Sequence, residues 1–251
     1  MSIRSKLPKS PRGIALSAVA ALAAAGAIVF ALVYFLLLPT SSPKPFALTT
    51  PATSTSPEAA TTTSTTASTA SGLGGTWQIG TGSQAGYRVR EKLVFLPAES
   101  DAVGRTSQIT GGATFTEQAA TVTVKSASFS IAVNTLKSDR SQRDEKIHSI
   151  ALESDRYPTA TFALSHPVVI PASQLSGHVA HTSVTGVVEI HGVSKQVSIP
   201  VEMTLDGSTI EAAGALTFPW SEFGMTAPSI GGFVSVTEHA TLEFDLRLRR
   251  A

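Results

Sequence analysis

The amino-acid sequence predicts an all-β, antiparallel domain carried behind an apolar segment and a polar linker. Apolar and polar residues alternate with period two over most of 76–251. The 26 residues 13–38 hold no charged side chain, and the chain has no cysteine. A half-buried antiparallel strand sends alternate side chains to core and solvent, so the alternation is its signature. The missing cysteine excludes a disulfide scaffold, a thiol nucleophile, a thiolate metal site and a lipidated-cysteine anchor.

The first element is a basic tail, residues 1–12, with Arg4, Lys6, Lys9 and Arg12 and no acid. Residues 13–38 follow as a transmembrane helix: at ~1.5 Å per residue they reach about 39 Å, enough for a ~30 Å hydrocarbon core. The basic flank stays cytoplasmic by the positive-inside rule, which makes the chain a single-pass protein of the cell membrane with its later residues extracytoplasmic. A cleaved signal peptide is the alternative. Its apolar region is typically ~7–15 residues and ends at small residues. Here the small run, residues 23–27, sits in mid-span and Ile28 to Leu38 follow, which favours an uncleaved anchor.

Residues 39–75 form a Thr/Ser/Pro/Ala-rich linker. From 39 to 71 only Lys44, Phe46, Leu48 and Glu58 depart from those four types. Such a segment buries too little apolar surface to offset its ordering entropy and reads as a disordered tether. Its reach runs from ~30 Å when coiled to ~100 Å as polyproline II. The net charge of +1 conceals a split along these regions: +4 in 1–12, zero in the linker and −3 in 76–251. With no basic patch in the last region, nucleic acid is not an expected partner.

Within 76–251 strands are expected near 76–80, 86–95, 108–117, 120–133, 160–166, 183–191, 196–206 and 209–218, with a ninth near 239–249. Val197, Ile199, Val201, Met203 and Leu205 share one face; Asp206-Gly207-Ser208 turns; Ile210 to Phe218 returns. Ser138 to Ser154, with Ile147, Ile150 and Ala151 on one side, predicts a short amphipathic helix ended by Tyr157-Pro158. Strands of this kind build a sandwich or a closed barrel. An eight-stranded barrel is also wide enough for one small apolar ligand. Ala212, Gly214 and Gly186, if inward, would leave space there.

Four stretches then carry a family resemblance: Trp77-Gln78-Ile79, Gln142-Arg143-Asp144, the run from Tyr157 to Phe162, and the run from Val188 to Val197 with His191-Gly192-Val193-Ser194-Lys195 at its centre. Sequence and spacing together resemble the YceI-like family. That resemblance implies a lipocalin-like, eight-stranded antiparallel barrel that binds a polyisoprenoid or another lipid. Gly86 to Leu93 and Ala227 to Ile230 resemble an actinobacterial-type, membrane-anchored branch. One departure is visible: family members have an acidic residue and a His-Ser pair soon after the opening Trp, where this chain has Gly80 to Gly86.

The expected function is binding, by sequestration or transport, of an amphiphilic lipid of polyisoprenoid or isoprenoid-quinone type, with no cofactor and no enzymatic step. The candidate lining is Phe129, Ile131, Phe162, Leu164, Val188, Ile190, Phe218 and Trp220, residues that would otherwise be ordinary packed core. Phe223 and Phe233 belong to two apolar rim loops, 219–225 and 230–233. Arg143 and Lys146 are the cations expected to meet a headgroup; otherwise they lie on a solvated, salt-bridged helix face. His178 and His181 lack ligand spacing and nearby acids, so no metal site is expected. A structural domain with a filled barrel, or an enzyme acting on an envelope lipid, are the alternatives. No Gly-x-Ser-x-Gly elbow supports the enzyme.

Overall fold

The computed structural model describes Gly26, Val29, 42–48, 72–93, 99–175, 177–230 and 234–251. The chain divides into two compact units, Met1–Ser41 and Ser42–Ala251. In the first, Gly26 and Val29 are helical. The rest of the expected span at 13–38 lies outside the described residues. Among the described residues no helix is long and apolar enough to cross a membrane.

The second unit is built of twelve strands among its described residues: β1 (Gly75–Ile79), β2 (Gln84–Leu93), β3 (Glu99–Thr106), β4 (Ile109–Gln118), β5 (Thr121–Ala132), β6 (Thr159–Leu164), β7 (Val168–Pro171), β8 (Ala180–Ile190), β9 (Val193–Asp206), β10 (Thr209–Pro219), β11 (Ser229–Ile230) and β12 (Val234–Arg250). Eight of them close an antiparallel barrel in the order β1-β4-β5-β6-β8-β9-β10-β12, with β12 returning to β1. Closure removes the open edges that alternating strands would otherwise expose. The 17-residue β12 serves two partners along one edge, β2 over Val234–Asp245 and β1 over Leu248–Arg250. Two-residue turns set the register: His191 (φ 54°) and Gly192 (φ 72°) both take the left-handed conformation that a tight β8–β9 hairpin demands.

Three strands are additional to those expected. In β3 the residues paired inward with Tyr87 and its row are small, Ala102, Gly104 and Thr106, so no apolar alternation marks it. The four residues of β7 pair only with the first third of β5, and two-residue β11 pairs only with β12. The expected helix is shorter than Ser138 to Ser154: α1 covers Ser141–Lys146, and one wide π turn follows over Ile147–Ala151. His148 ties this cap down, Nε2 bonding the Leu136 carbonyl oxygen at 2.9 Å and Nδ1 the Ser154 hydroxyl at 3.0 Å.

Part of the stretch read as linker is held on the barrel. Ser42 to Leu48, without regular secondary structure, lie against outward side chains of the barrel strands. Arg88 Nη2 donates to the Pro43 carbonyl (2.7 Å) and Arg105 Nη2 to that of Lys44 (2.6 Å). The Arg105 guanidinium lies 3.8 Å over the Phe46 ring, and the Leu48 N–H donates to Glu202 Oε2 at 2.9 Å. Beside this strap Glu243, 2% exposed, is paired with Arg88 (3.1 Å) and Arg105 (2.8 Å). The ordered barrel also begins before residue 76: Leu73 is buried, its N–H donates to Glu117 Oε2, and Trp77 Nε1 donates to its carbonyl at 3.0 Å. Residues 49–71 lie outside the described residues.

Candidate functional site

The barrel encloses an apolar cavity of about 160 Å³. Its wall draws on the inward residues of nearly every barrel strand, because alternation along each strand turns one side chain in two toward the axis. Phe129 and Ile131 enter from β5, Phe162 and Leu164 from β6, Val188 and Ile190 from β8, and Phe218 from β10. Trp220 closes the end of β10, its Nε1 donating to the Thr237 carbonyl at 2.9 Å. All eight expected lining residues therefore face one space.

Of the other four expected residues, Phe223, Arg143 and Lys146 stand outside the wall of this cavity. Phe223 is fully buried behind the wall, edge-on to Phe218 at 4.8 Å, and does not reach the cavity. Residues 220–223 form a 3₁₀ turn with Trp220, Phe223 and Met225 buried, so 219–225 is a packed wedge and not an open rim loop. Burying three large apolar side chains outweighs any gain from keeping that loop mobile. Phe233 lies outside the described residues.

Arg143 is not on a solvated helix face. It is 7% exposed, with Nε 2.8 Å from Glu91 Oε1 and Nη2 2.9 Å from Glu91 Oε2, while Nη1 donates to Asp139. Burial works against its charge, but the hydrogen bonds and attraction of Glu91, then Asp139, outweigh it and hold its pKa above the usual value. Its fork is spent on the barrel end of β2. Lys146 flanks a small adjoining cleft with Arg143, Val89, Pro228 and Val236.

Two of the three small residues expected to leave space, Gly214 and Gly186, do not. A Cβ at Gly214 would lie 2.6 Å from the Phe244 ring, and one at Gly186 2.3 Å from the Phe162 ring. Those glycines are occupied by neighbouring rings, whereas Ala212 does border the cavity. The wall residues not singled out in the sequence include Tyr87, Leu136, Ile147, Met203, Met225 and Phe244. Met203 and Phe244 sit on strands whose apolar face was legible and follow from it. Tyr87 was hidden because Glu91, two pairs of residues along the same inward face, breaks the apolar pattern.

Polar groups in the wall are few. Thr161 is exposed, and Thr241 Oγ1 is bonded to Thr217 Oγ1 on the solvent side at 2.8 Å. The Tyr87 hydroxyl is buried beside Ser138. Among the described residues no cluster of His, Asp and Glu has the arrangement of a metal site. His178 and His181 remain apart from the cavity wall.

Comparison with known proteins agrees with this architecture. A polyisoprenoid binding domain from Saccharophagus degradans, implicated in plant cell wall breakdown, shares the fold at a TM-score of 0.52 and 14% identity, covering 70% of this chain and 98% of its own. The YceI protein of Campylobacter jejuni superposes at 0.49 with 17% identity, covering 64% and 91% respectively. No curated protein sequence matches the chain. The model of the YceI-like domain matches residues 77–248, from the opening Trp of β1 to the last inward Leu of β12. The chain belongs to the YceI-like domain family.

Proposed function

We propose that the barrel binds an amphiphilic lipid of polyisoprenoid or isoprenoid-quinone type, its tail in the cavity, for sequestration or transport. The observation that carries this reading is the hollow, almost wholly apolar interior, where a filled barrel would place packed side chains. Each CH₂ withdrawn from water contributes about 0.8 kcal/mol, so an apolar chain needs no charged partner for affinity. A cavity of ~150 Å³ takes a benzene-sized group, so a longer tail must push side chains aside. Met203 and Met225 are unbranched, adaptable wall residues suited to that movement. No covalent step is required.

The solved polyisoprenoid binding domain of like fold supports the choice of ligand class. The basic tail and uncharged stretch of 13–38 support a single-pass anchor with the N-terminus cytoplasmic and the barrel extracytoplasmic, near the membrane that supplies the lipid. Native mass spectrometry of the gently purified chain, followed by lipid extraction, tests the binding. A retained prenyl lipid is the expected result. An empty protein that also takes up no added prenyl lipid would sink the reading.

A further inference from the structure

We propose that the seam between Val193–Pro200 of β9 and Ala215–Pro219 of β10 is the route by which a lipid enters and leaves the cavity, and that the wedge 219–225 is its gate. The inference rests on the lipid-binding reading and adds the path to it.

β9 and β10 pair only from Thr209 opposite Asp206 to Gly214 opposite Val201. Beyond that point each keeps its other partner, β9 pairing β8 to the hairpin at Val193 and β10 pairing β12 to Pro219. The two facing stretches therefore stand without a ladder between them. Pro200, which has no N–H to donate, sits where the pairing stops. Side chains close the seam instead. The 3₁₀ turn Trp220–Phe223 packs against β9, β10 and β12. Trp220 and Met225 border the cavity, and Phe223 is fully buried behind them.

The wedge is fastened on one side only. Pro219 joins it to β10, and Trp220 Nε1 donates to the Thr237 carbonyl on β12 at 2.9 Å. Its other bonds are internal, the Gly224 N–H to the Ser221 carbonyl (3.1 Å) and the Met225 N–H to that of Trp220 (3.0 Å). Among the described residues no hydrogen bond joins 220–225 to β9, so packing alone holds that side. Parting the wedge from β9 breaks no backbone hydrogen bond, whereas a gap between paired strands leaves N–H and C=O groups unmet. Local opening follows the least costly line. Two other places where strands lack a partner are shut. β7 does not pair with β8, but no β7 residue borders the cavity. The outer edge of β3 is bonded both ways between Arg105 and Lys137, at 2.9 and 3.1 Å. With three large apolar side chains buried in the wedge, its opening is infrequent and sets the rate of lipid exchange.

A disulfide across the seam tests this on the full chain, which has no cysteine to compete. A Cβ at Gly224 would lie 3.6 Å from Val193 Cγ2, within reach of a bridge in the double variant Val193→Cys with Gly224→Cys. The probe is ubiquinone-2, a benzoquinone with a short prenyl tail, whose arrival quenches Trp220 fluorescence in stopped flow. The oxidised double variant is expected to take up the probe about tenfold or more slowly than the same protein reduced. Phe223→Leu thins the plug and should speed uptake about threefold or more. Ile210→Val, which loosens the same two strands where their ladder is intact, should not. Equal rates in the oxidised and reduced protein, failure of the two cysteines to bridge, or equal acceleration by Ile210→Val overturns the gate while leaving lipid binding intact. Absence of quenching in the wild type overturns the lipid-binding reading, and the proposal with it.

Discussion

Arg143 of α1 and Glu91 of β2, 52 residues apart in sequence, meet in a buried two-pronged ion pair with contacts of 2.8 and 2.9 Å. The pair fastens the short cap helix to the inward face of the barrel end. It is a joint between elements, reached only because Glu91 turns inward where alternation calls for an apolar residue.

Removing one partner should therefore weaken folding more than ligand choice. Arg143→Ala or Glu91→Ala is expected to cost about 3–5 kcal/mol, because the remaining charge is left buried and unpaired. Replacing both with apolar residues of similar volume should recover most of that loss. Urea unfolding of the singles and the double gives the coupling directly; a loss below ~1 kcal/mol for both singles contradicts the joint.

The cavity makes a separate prediction. Ala212→Phe adds a ring at a wall position that now borders open space. Stability should change by less than the ~1–3 kcal/mol of overpacking a filled core, while prenyl-lipid uptake drops about tenfold or more. Uptake at the original level in the folded variant would mean that the lipid lies elsewhere.

Gly186→Ala should behave in the opposite way. Its new methyl would lie 2.3 Å from the Phe162 ring and 2.6 Å from the Ala163 carbonyl oxygen, with backbone on one side and ring on the other. A loss of ~1–3 kcal/mol in thermal or denaturant unfolding is expected, with Phe162 displaced toward the cavity.

The strap can be tested at Phe46 and Glu202. Phe46→Ala removes the ring beneath Arg105 and should cost about 0.5–1 kcal/mol. Glu202→Ala removes the acceptor of the Leu48 N–H, so hydrogen exchange at 42–48 should accelerate, with Glu202→Gln restoring part of the protection. Equal, rapid exchange in the wild type and both variants would show the strap to be undocked.

Asp245 supplies a pH test. Burial raises its pKa, and attraction to Arg247 and Arg105 offsets this only in part. With the folded pKa above the unfolded value, the native state holds the proton more tightly, and stability is lost as pH rises through the folded pKa. Asp245→Asn should raise the midpoint of thermal unfolding at pH 7, the gap closing as pH falls through about 4, the ordinary Asp range. A gap that widens on acidification reverses the sign and refutes the desolvation account.

Alternation made most of the barrel legible in the sequence, since strands such as β9, β10 and β12 each show a clear apolar face. It located the eight wall residues that the cavity brings together. What it missed shares one physical cause: long-range pairing. β3 has small inward residues because Tyr87 fills the space opposite, and Glu91 is tolerated inside because Arg143 arrives from a distant helix. Phe223 was expected in an apolar rim loop, but the turn at 220–223 buries it behind the wall against Phe218. Local pattern contains none of those partners.

The docking of Ser42 to Leu48 changes what the Thr/Ser-rich stretch does mechanically. Leu48 is bonded to Glu202 and Gly72 to Arg250, both on the barrel. Residues 49–71 therefore join two points of one body, and inserting or deleting residues there does not alter where the chain before Ser42 departs from it.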